Sequence, residues 1–377
     1  MTDLKALAEK AEAALAPAYA AFDRTALLNT EKVLNAFGRH RVSDSHFAPS
    51  TGYGYNDPGR DVLDAVFAGV MGTEDAIVRT SFASGTHAIA CALRAVAPQG
   101  GYLSLTGEPY DTLRGLMPYS VRRTGAPGEI PAALFIQRSR GYSARKALSV
   151  AEVNALIAEA RKQLDVPVVV DNCYCEFVEE EEPCAADLIA GSLIKNPGGG
   201  LAPCGGYVAG RRELVEKAAV ILNGVGRECG ANPGGNRLIF QGLFQAPHTV
   251  AQALKTAAFA AFMLRELGYT VSPLPEEARS DIIQAIYFRA PEALLRFARG
   301  IQKGSPVDSF VTPEAWDMPG YDNPVVMAAG TFVQGASIEL SCDAPMREPY
   351  TAYLQGGLTY EAGKLGILAA LEALCAS

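Results

Sequence analysis

Apolar and polar residues alternate in blocks along this chain, and the period of the alternation changes from block to block. Residues 3–39 carry apolar side chains at helical spacing, and Pro17 predicts a break between two helices. The polar, glycine-rich stretch RVSDSHFAPSTGYGYNDPGR (41–60) reads as a long loop. From residue 61 helix-like and strand-like runs take turns. DVLDAVFAGVMG (61–72) sets Val62, Ala65, Val66 and Gly69 on one helical face. DAIVRTSF (75–82) predicts a strand, GTHAIACALRAVA (85–97) a helix, and GYLSLTG (101–107) and ALFIQRS (133–139) two more strands. LSVAEVNALIAEARKQL (148–164) predicts a helix opened by Ser149, with Glu152 placed to complete a capping box. VPVVVDN (166–172) is a continuous apolar strand, followed by DLIAGSLI (187–194), GGYVAG (205–210) and a helix over RRELVEKAAVIL. The alanine-rich HTVAQALKTAAFAAFMLRELG (248–268) predicts a long helix starting at His248. Beyond it come short strands and proline-containing turns, then a last helix near 360–375.

This order predicts an α/β fold with a mostly parallel sheet sandwiched by helices, since crossover helices cover both faces of such a sheet. The change of pattern at the long helix divides the chain into an N-terminal helical arm and loop (1–56), a large domain (57–247) and a smaller α+β C-terminal domain (248–377). A length of 377 residues exceeds one ordinary core. Hydrophobic residues make up 49% and charged ones 20%, which excludes a disordered chain. The net charge of −8 argues against nucleic acid and anionic membranes as partners. No run approaches the roughly 18 apolar residues of a membrane helix. The N-terminus MTDLKALAEKAEAAL lacks the apolar centre of a signal peptide, so a cytoplasmic protein with 8 cysteines mostly as thiols is expected.

Ligands of open parallel sheets sit beyond the carboxyl ends of the strands. There the strand at 75–82 delivers Ala83-Ser84-Gly85-Thr86 to a helix N-terminus, a place suited to a phosphate. The strand at 101–107 leads to Glu108-Pro109-Tyr110, the strand at 166–172 ends at Asp171, and the strand at 187–194 ends at Lys195. Each feature alone has an ordinary structural reading as a cap, a turn or a solvated cation. Together they match pyridoxal 5′-phosphate, which needs a lysine for its Schiff base, a carboxylate for its pyridine nitrogen, an anion site and an aromatic face. Lys195 at the end of an apolar strand is expected to have a depressed pKa. Gly198, Gly199 and Gly200 after it are expected to let backbone pass close to cofactor or a neighbouring subunit.

The chain resembles the fold-type I, pyridoxal-phosphate-dependent enzymes of cysteine and methionine metabolism. It is most similar to the branch named for aluminium resistance, methionine γ-lyase and cystathionine β-lyase. The markers are STGYGY, SGTHAIA, PYDTL, FIQRSRGY, DNCY, GSLIKNPGGG, QGASIELS, REPY and YLQGGLTYE, spread over nearly the whole chain. The resemblance implies a seven-stranded sheet and these roles. Lys195, Asp171 and Tyr110 are catalytic; Ser84, Gly85, Thr86 and Ser192 bind the cofactor at its phosphate, Lys195 by the Schiff base and Asp171 at the pyridine nitrogen; Tyr110 stacks on the ring. Tyr53 and Tyr55 reach the cofactor of an adjacent subunit, which implies a homo-oligomer built as a dimer of dimers. Relatives carry an arginine near the place of Tyr55, and Arg60 and Arg237 are the candidates to replace it. The strand before the last helix, AYLQGG, lacks the arginine that relatives use for the substrate carboxylate, leaving Arg347, Arg138 and Arg140 as candidates.

The implied activity is elimination of a thiol from a sulfur amino acid. A γ-replacement transferase of the same family, or a non-catalytic cofactor-binding protein of metal tolerance, are the alternatives. An NAD-binding reading fails because no G-x-G-x-x-G follows the first strands. No metal is expected: Cys173 and Cys175, with Cys184 and Cys204, have poor zinc spacing and read as thiols beside the site. Glu179 to Glu182 read as a solvated loop, and His87 as a packing residue on the helix after the phosphate turn.

Overall fold

A computed structural model describes residues 3–121, 131–319 and 321–376. In order, the chain forms α1 (Leu4–Arg39), α2 (Pro58–Met71), β1 (Asp75–Arg79), α3 (Gly85–Val96), β2 (Tyr102–Ser104), α4 (Asp111–Arg114), β3 (Tyr119–Val121), β4 (Ala133–Gln137) and α5 (Val150–Arg161). It continues with β5 (Val168–Asp171), β6 (Leu188–Ser192), β7 (Gly206–Gly210), α6 (Arg212–Asn223), α7 (Arg237–Glu266), β8 (Thr270–Ser272), β9 (Gln284–Tyr287), α8 (Pro291–Lys303), β10 (Val325–Ala328), β11 (Ser341–Pro345), β12 (Thr351–Gln355) and α9 (Tyr360–Cys375).

The first sheet has seven strands in the order β1-β7-β6-β5-β4-β2-β3. Strands β3, β2, β4, β5 and β6 run parallel, while β7 is antiparallel to both β6 and β1. Side chains alternate across it as strand geometry requires. Leu134, Ile136, Val168, Val170 and Ile189 pack on one face with Phe67, Ile157 and Phe240. Ala133, Phe135, Val169, Leu188 and Ala190 pack on the other with Ile89 and Val215. Both faces are buried, which explains why these strands are apolar throughout rather than alternating. Ser149 caps α5 and its reciprocal bond with Glu152 is made.

The second sheet is wholly antiparallel, in the order β10-β11-β12-β9-β8, and its core is shared with α7, α8, α9 and the start of α1. Several expectations shift here. Pro17 does not break the first helix: α1 is continuous, with Ala8, Ala11 and Leu15 buried before the proline and Val33 and Ala36 after it. Packing on both flanks outweighs the one backbone bond that proline removes. The long helix starts at Arg237, not His248, and carries Pro247 inside it. Position 248, expected to divide two domains, therefore falls within one continuous helix that feeds both cores. Helix α8 lies where only strands and turns were expected. Its signal was present: Pro291 at the first turn and Ala293, Leu294, Phe297, Ala298 and Ile301 on one buried face. No helix among the described residues is long and apolar enough to cross a membrane.

Candidate active site

The carboxyl ends of β1, β2, β4, β5 and β6 share one edge of the first sheet, and the face of β10–β12 closes over it. Between them lies a cavity of about 270 Å³. The first sheet contributes Ser84, Gly85, Thr86, Tyr110, Asp171, Ser192 and Lys195 to its lining. The second contributes Ser337, Ser341, Asp343 and Gln355, with Tyr321 from the preceding loop.

Lys195 follows β6 through two buried or half-buried residues, and Ile194 also lines the cavity. Its Nζ donates to Ser337 Oγ at 3.2 Å and stands 3.6 Å from the centroid of the Tyr174 ring. Burial disfavours the ammonium, but Tyr174, Cys173 and Asp343 outweigh it and raise the pKa above the ordinary lysine value. The expected depression is thus absent. An apolar strand end desolvates the amine, and the acidic and aromatic groups gathered around it reverse the sign.

Asp171 ends β5 almost fully buried and accepts the Cys173 N–H at 3.0 Å. Burial pushes its carboxyl upward, against the Cys173 amide and the Lys195 charge, which favour the carboxylate. It is therefore a buried acceptor able to hold a proton on a ring nitrogen. Tyr110 sits on the same cavity with its N–H given to Gln137 Oε1 at 3.0 Å and its hydroxyl 2.6 Å from that of Tyr321. Gln137 is in register with Asp171 across β4 and β5, so the sheet itself sets the ring and the acid side by side.

The other end of the cavity suits an anion. Ser84 Oγ caps α3 by accepting the His87 N–H, and Ser84 O accepts that of Ala88. This leaves the Gly85 and Thr86 amides among the orphan donors of a helix start, at the positive end of its dipole. Ser192 Oγ is buried and unpartnered. A Cβ at Gly85 would lie 2.9 Å from the Ser192 Cβ, so only glycine lets the helix start approach that hydroxyl. Two free amides and an orphaned hydroxyl in one corner can hold a phosphate ester. His87 lines no part of the cavity and instead accepts the Ala83 N–H at 3.2 Å, pinning the turn.

Other expected site residues lie elsewhere. Tyr53 and Tyr55 stack on each other, centroids 5.2 Å apart, and are exposed outside the cavity. Arg60 is buried beneath their loop, donating to Gly54 O and Glu228 O, and Arg237 is exposed at the start of α7. Arg138 is fully buried but committed to Glu179 at 2.5 Å, Glu182 at 3.2 Å and Asn172 at 2.9 Å. Glu179 and Glu182 are thus its counter-ions rather than part of a solvated loop, while Glu180 and Glu181 are exposed. Arg140 and Arg347 line a second cavity, with Arg145, that shares Tyr110, Gln137 and Tyr142 with the first. The glycines after Lys195 serve packing: a Cβ at Gly199 would lie 3.0 Å from the Ala246 nitrogen of α7, and Gly200 abuts Leu358.

Sequence reasoning missed Tyr142, Tyr174, Tyr321, Ser337, Ser341, Asp343 and Gln355. All but Tyr321 stood inside or beside recognised stretches: Tyr142 in FIQRSRGY, Tyr174 in DNCY, Ser337 and Ser341 in QGASIELS, Asp343 just beyond it and Gln355 in YLQGGLTYE. What marked them for the cavity is the packing of the second sheet against the first, which no local pattern encodes.

The sequence model of the methionine gamma-lyase family matches residues 4–130 and 129–375. The uncharacterized protein YnbB of Bacillus subtilis is 42% identical, over 98% of this chain and 96% of that protein. Among solved structures, a protein of Listeria monocytogenes provisionally named a cystathionine beta-lyase involved in aluminium resistance is 43% identical, with a TM-score of 0.93 over 98% of this chain and 100% of that one. A carbon-sulfur lyase involved in aluminium resistance from Clostridium novyi is 43% identical, with a TM-score of 0.89 over 98% and 95%. YhfS of Escherichia coli, a pyridoxal-5′-phosphate-dependent protein, shares the fold at 17% identity and a TM-score of 0.63, over 93% and 96%. The seven-stranded sheet is that of fold-type I enzymes, as expected, and the chain belongs to the methionine gamma-lyase family.

Proposed function

We propose that this protein is a pyridoxal-phosphate-dependent carbon-sulfur lyase that splits a sulfur amino acid and water into a thiol, a 2-oxo acid and ammonia. The observation that carries this reading is the meeting of Lys195, Asp171 and the Gly85–Ser192 corner in one cavity. Family membership and relatives named for such lyases support the same reaction class. When bound, the cofactor supplies an electron sink for a carbanion at the substrate's α carbon.

The chain's own residues divide the remaining work. Gly85, Thr86 and Ser192 would hold the phosphate, Asp171 would keep a proton on the ring nitrogen, and Tyr110 would offer its aromatic face. Lys195, whose Nζ reaches into the cavity, would take the α proton of a bound substrate. The same amine returns it to the departing sulfur as the carbon–sulfur bond breaks, with the bond's electron pair leaving on sulfur. Arg347 and Arg140 are the candidates to draw the substrate carboxylate toward the second cavity, since a guanidinium presents a planar fork to a carboxylate. Tyr53 and Tyr55 are proposed to meet the site of a neighbouring protomer.

The test is to load the purified protein with pyridoxal phosphate and offer cystathionine, methionine and S-alkyl cysteines, measuring thiol, 2-oxo acid and ammonia together. Stoichiometric release of all three from at least one of them is expected. A loaded protein that releases none would overturn the reading.

A further inference from the structure

The half of the cavity built by the second sheet gathers a carboxylate, an amide oxygen and hydroxyls. Asp343 on β11 is almost fully buried, and Gln355 Nε2 donates to its Oδ2 at 2.6 Å. That bond orients the amide, because turning it over would set oxygen against carboxylate. Gln355 Oε1 is then buried with no donor, and Ser341 Oγ, on the same face of β11 as Asp343, is also unpartnered. Among the described residues no Lys, Arg or His forms an ion pair with Asp343; the nearby Lys195 charge and a bond from the Tyr142 side chain act on it. Lys195 is the one basic side chain among the described lining residues, and its Nζ is engaged by Ser337 and the Tyr174 ring.

Aromatic rings surround this acceptor group. The Tyr110 and Tyr142 centroids are 5.5 Å apart, Tyr142 and Tyr321 are 5.8 Å apart, and Tyr353, in register with Asp343, stacks on Tyr142 at 5.1 Å. After burial itself, the Asp343 carboxylate is among the causes that push the Tyr110, Tyr142, Tyr174 and Tyr321 phenols upward. A buried carboxylate with no ion-paired cation is costly, Lys195 is the residue assigned to the cofactor, and ring faces attract a cation. A substrate carboxylate placed here would instead meet the like charge of Asp343 and the orphaned Gln355 Oε1.

We propose that Asp343, Gln355 and Ser341 form a subsite for a protonated primary amine carried on the substrate's side chain, beyond the α carbon. The inference rests on the reading of this cavity as an amino-acid site. A primary ammonium brings three N–H donors, one each for Asp343, Gln355 Oε1 and Ser341 Oγ. A sulfonium or quaternary ammonium brings charge without donors and leaves two of the three unsatisfied.

Two probes of matched length isolate the charge: S-(2-aminoethyl)-L-cysteine and S-propyl-L-cysteine. Their affinities for the cofactor-loaded protein are measured by calorimetry, alongside thiol release. The amine is expected to bind about tenfold or more tightly, as for a hydrogen bond to a charged group. Asp343→Asn should remove that preference, and Gln355→Met should reduce it. Should neither variant fold, the wild-type pair alone decides. Equal binding of the two probes, or tighter binding of the propyl compound, overturns the subsite, and thiol release at equal affinity would do so while leaving the lyase reading intact. Preference for the amine without thiol release supports the subsite and counts against the lyase reading.

Discussion

Lys195 Nζ stands 3.6 Å from the centre of the Tyr174 ring, and Tyr174 holds a left-handed backbone conformation with φ 71°. An aromatic residue rarely adopts that region, and such strain persists only where surrounding structure enforces it. Here the bend after Asp171 turns the ring beneath the amine. The loaded wild-type protein is expected to be yellow, and borohydride to fix the cofactor on Lys195, located by peptide mass. Lys195→Ala should show neither the colour nor the fixed peptide. A variant that retains both would place the attachment elsewhere.

Asp171 tests the electron sink. Asp171→Asn preserves shape but removes the charge that keeps the ring nitrogen protonated. Turnover is expected to fall about a hundredfold or more, a loss of about 3 kcal/mol in transition-state stabilisation. Cofactor content, read by absorbance, should change far less. Undiminished turnover in a loaded Asp171→Asn protein would mean that another group protonates the ring.

Glu176 links the fold to pH. It is fully buried, bonded to the Tyr207 hydroxyl at 2.8 Å, and burial raises its pKa from 4.5 to about 8. A raised acid pKa means that the folded state holds the proton more tightly than the unfolded chain. Its stabilising contribution is complete below 4.5 and is lost as pH rises through about 8. Glu176→Gln has no proton to lose, so its thermal midpoint should fall less than the wild type's over that interval. Parallel curves for the two proteins would assign the titration to other groups.

Tyr53 and Tyr55 present their stack to solvent at 61% and 56% exposure, on a loop tied down by Arg60. If that loop completes a neighbour's site, Tyr55→Ala and Lys195→Ala proteins, each inactive, should regain part of the activity when co-refolded. Hybrid dimers would then hold one intact site. An active monomer in sedimentation, or hybrids without activity, would count against a shared site.

What the sequence determined by itself was local. The buried strands VVVD and ALFIQ announce themselves because both faces of a covered parallel sheet demand apolar residues. The Ser149 cap needs only its own helix. Asp171, Lys195 and the Ser84–Thr86 turn could be read because parallel strands deliver their ends to one edge. The amphipathic α8 is equally legible from Pro291 and its one apolar face. The tertiary structure decided what depends on partners distant in the chain. Arg138, Arg140 and Arg347 look alike as sequence, yet Glu179 and Glu182 consume the first, while the other two border a cavity. The fate of Pro17 and the start of α7 were decided by helix packing, which outweighs a local propensity. The sign of the Lys195 shift depended on Tyr174, Cys173 and Asp343 together, and Asp343 arrives only when the second sheet closes on the first. A charge takes its meaning from the field around it, and that field exists only after folding.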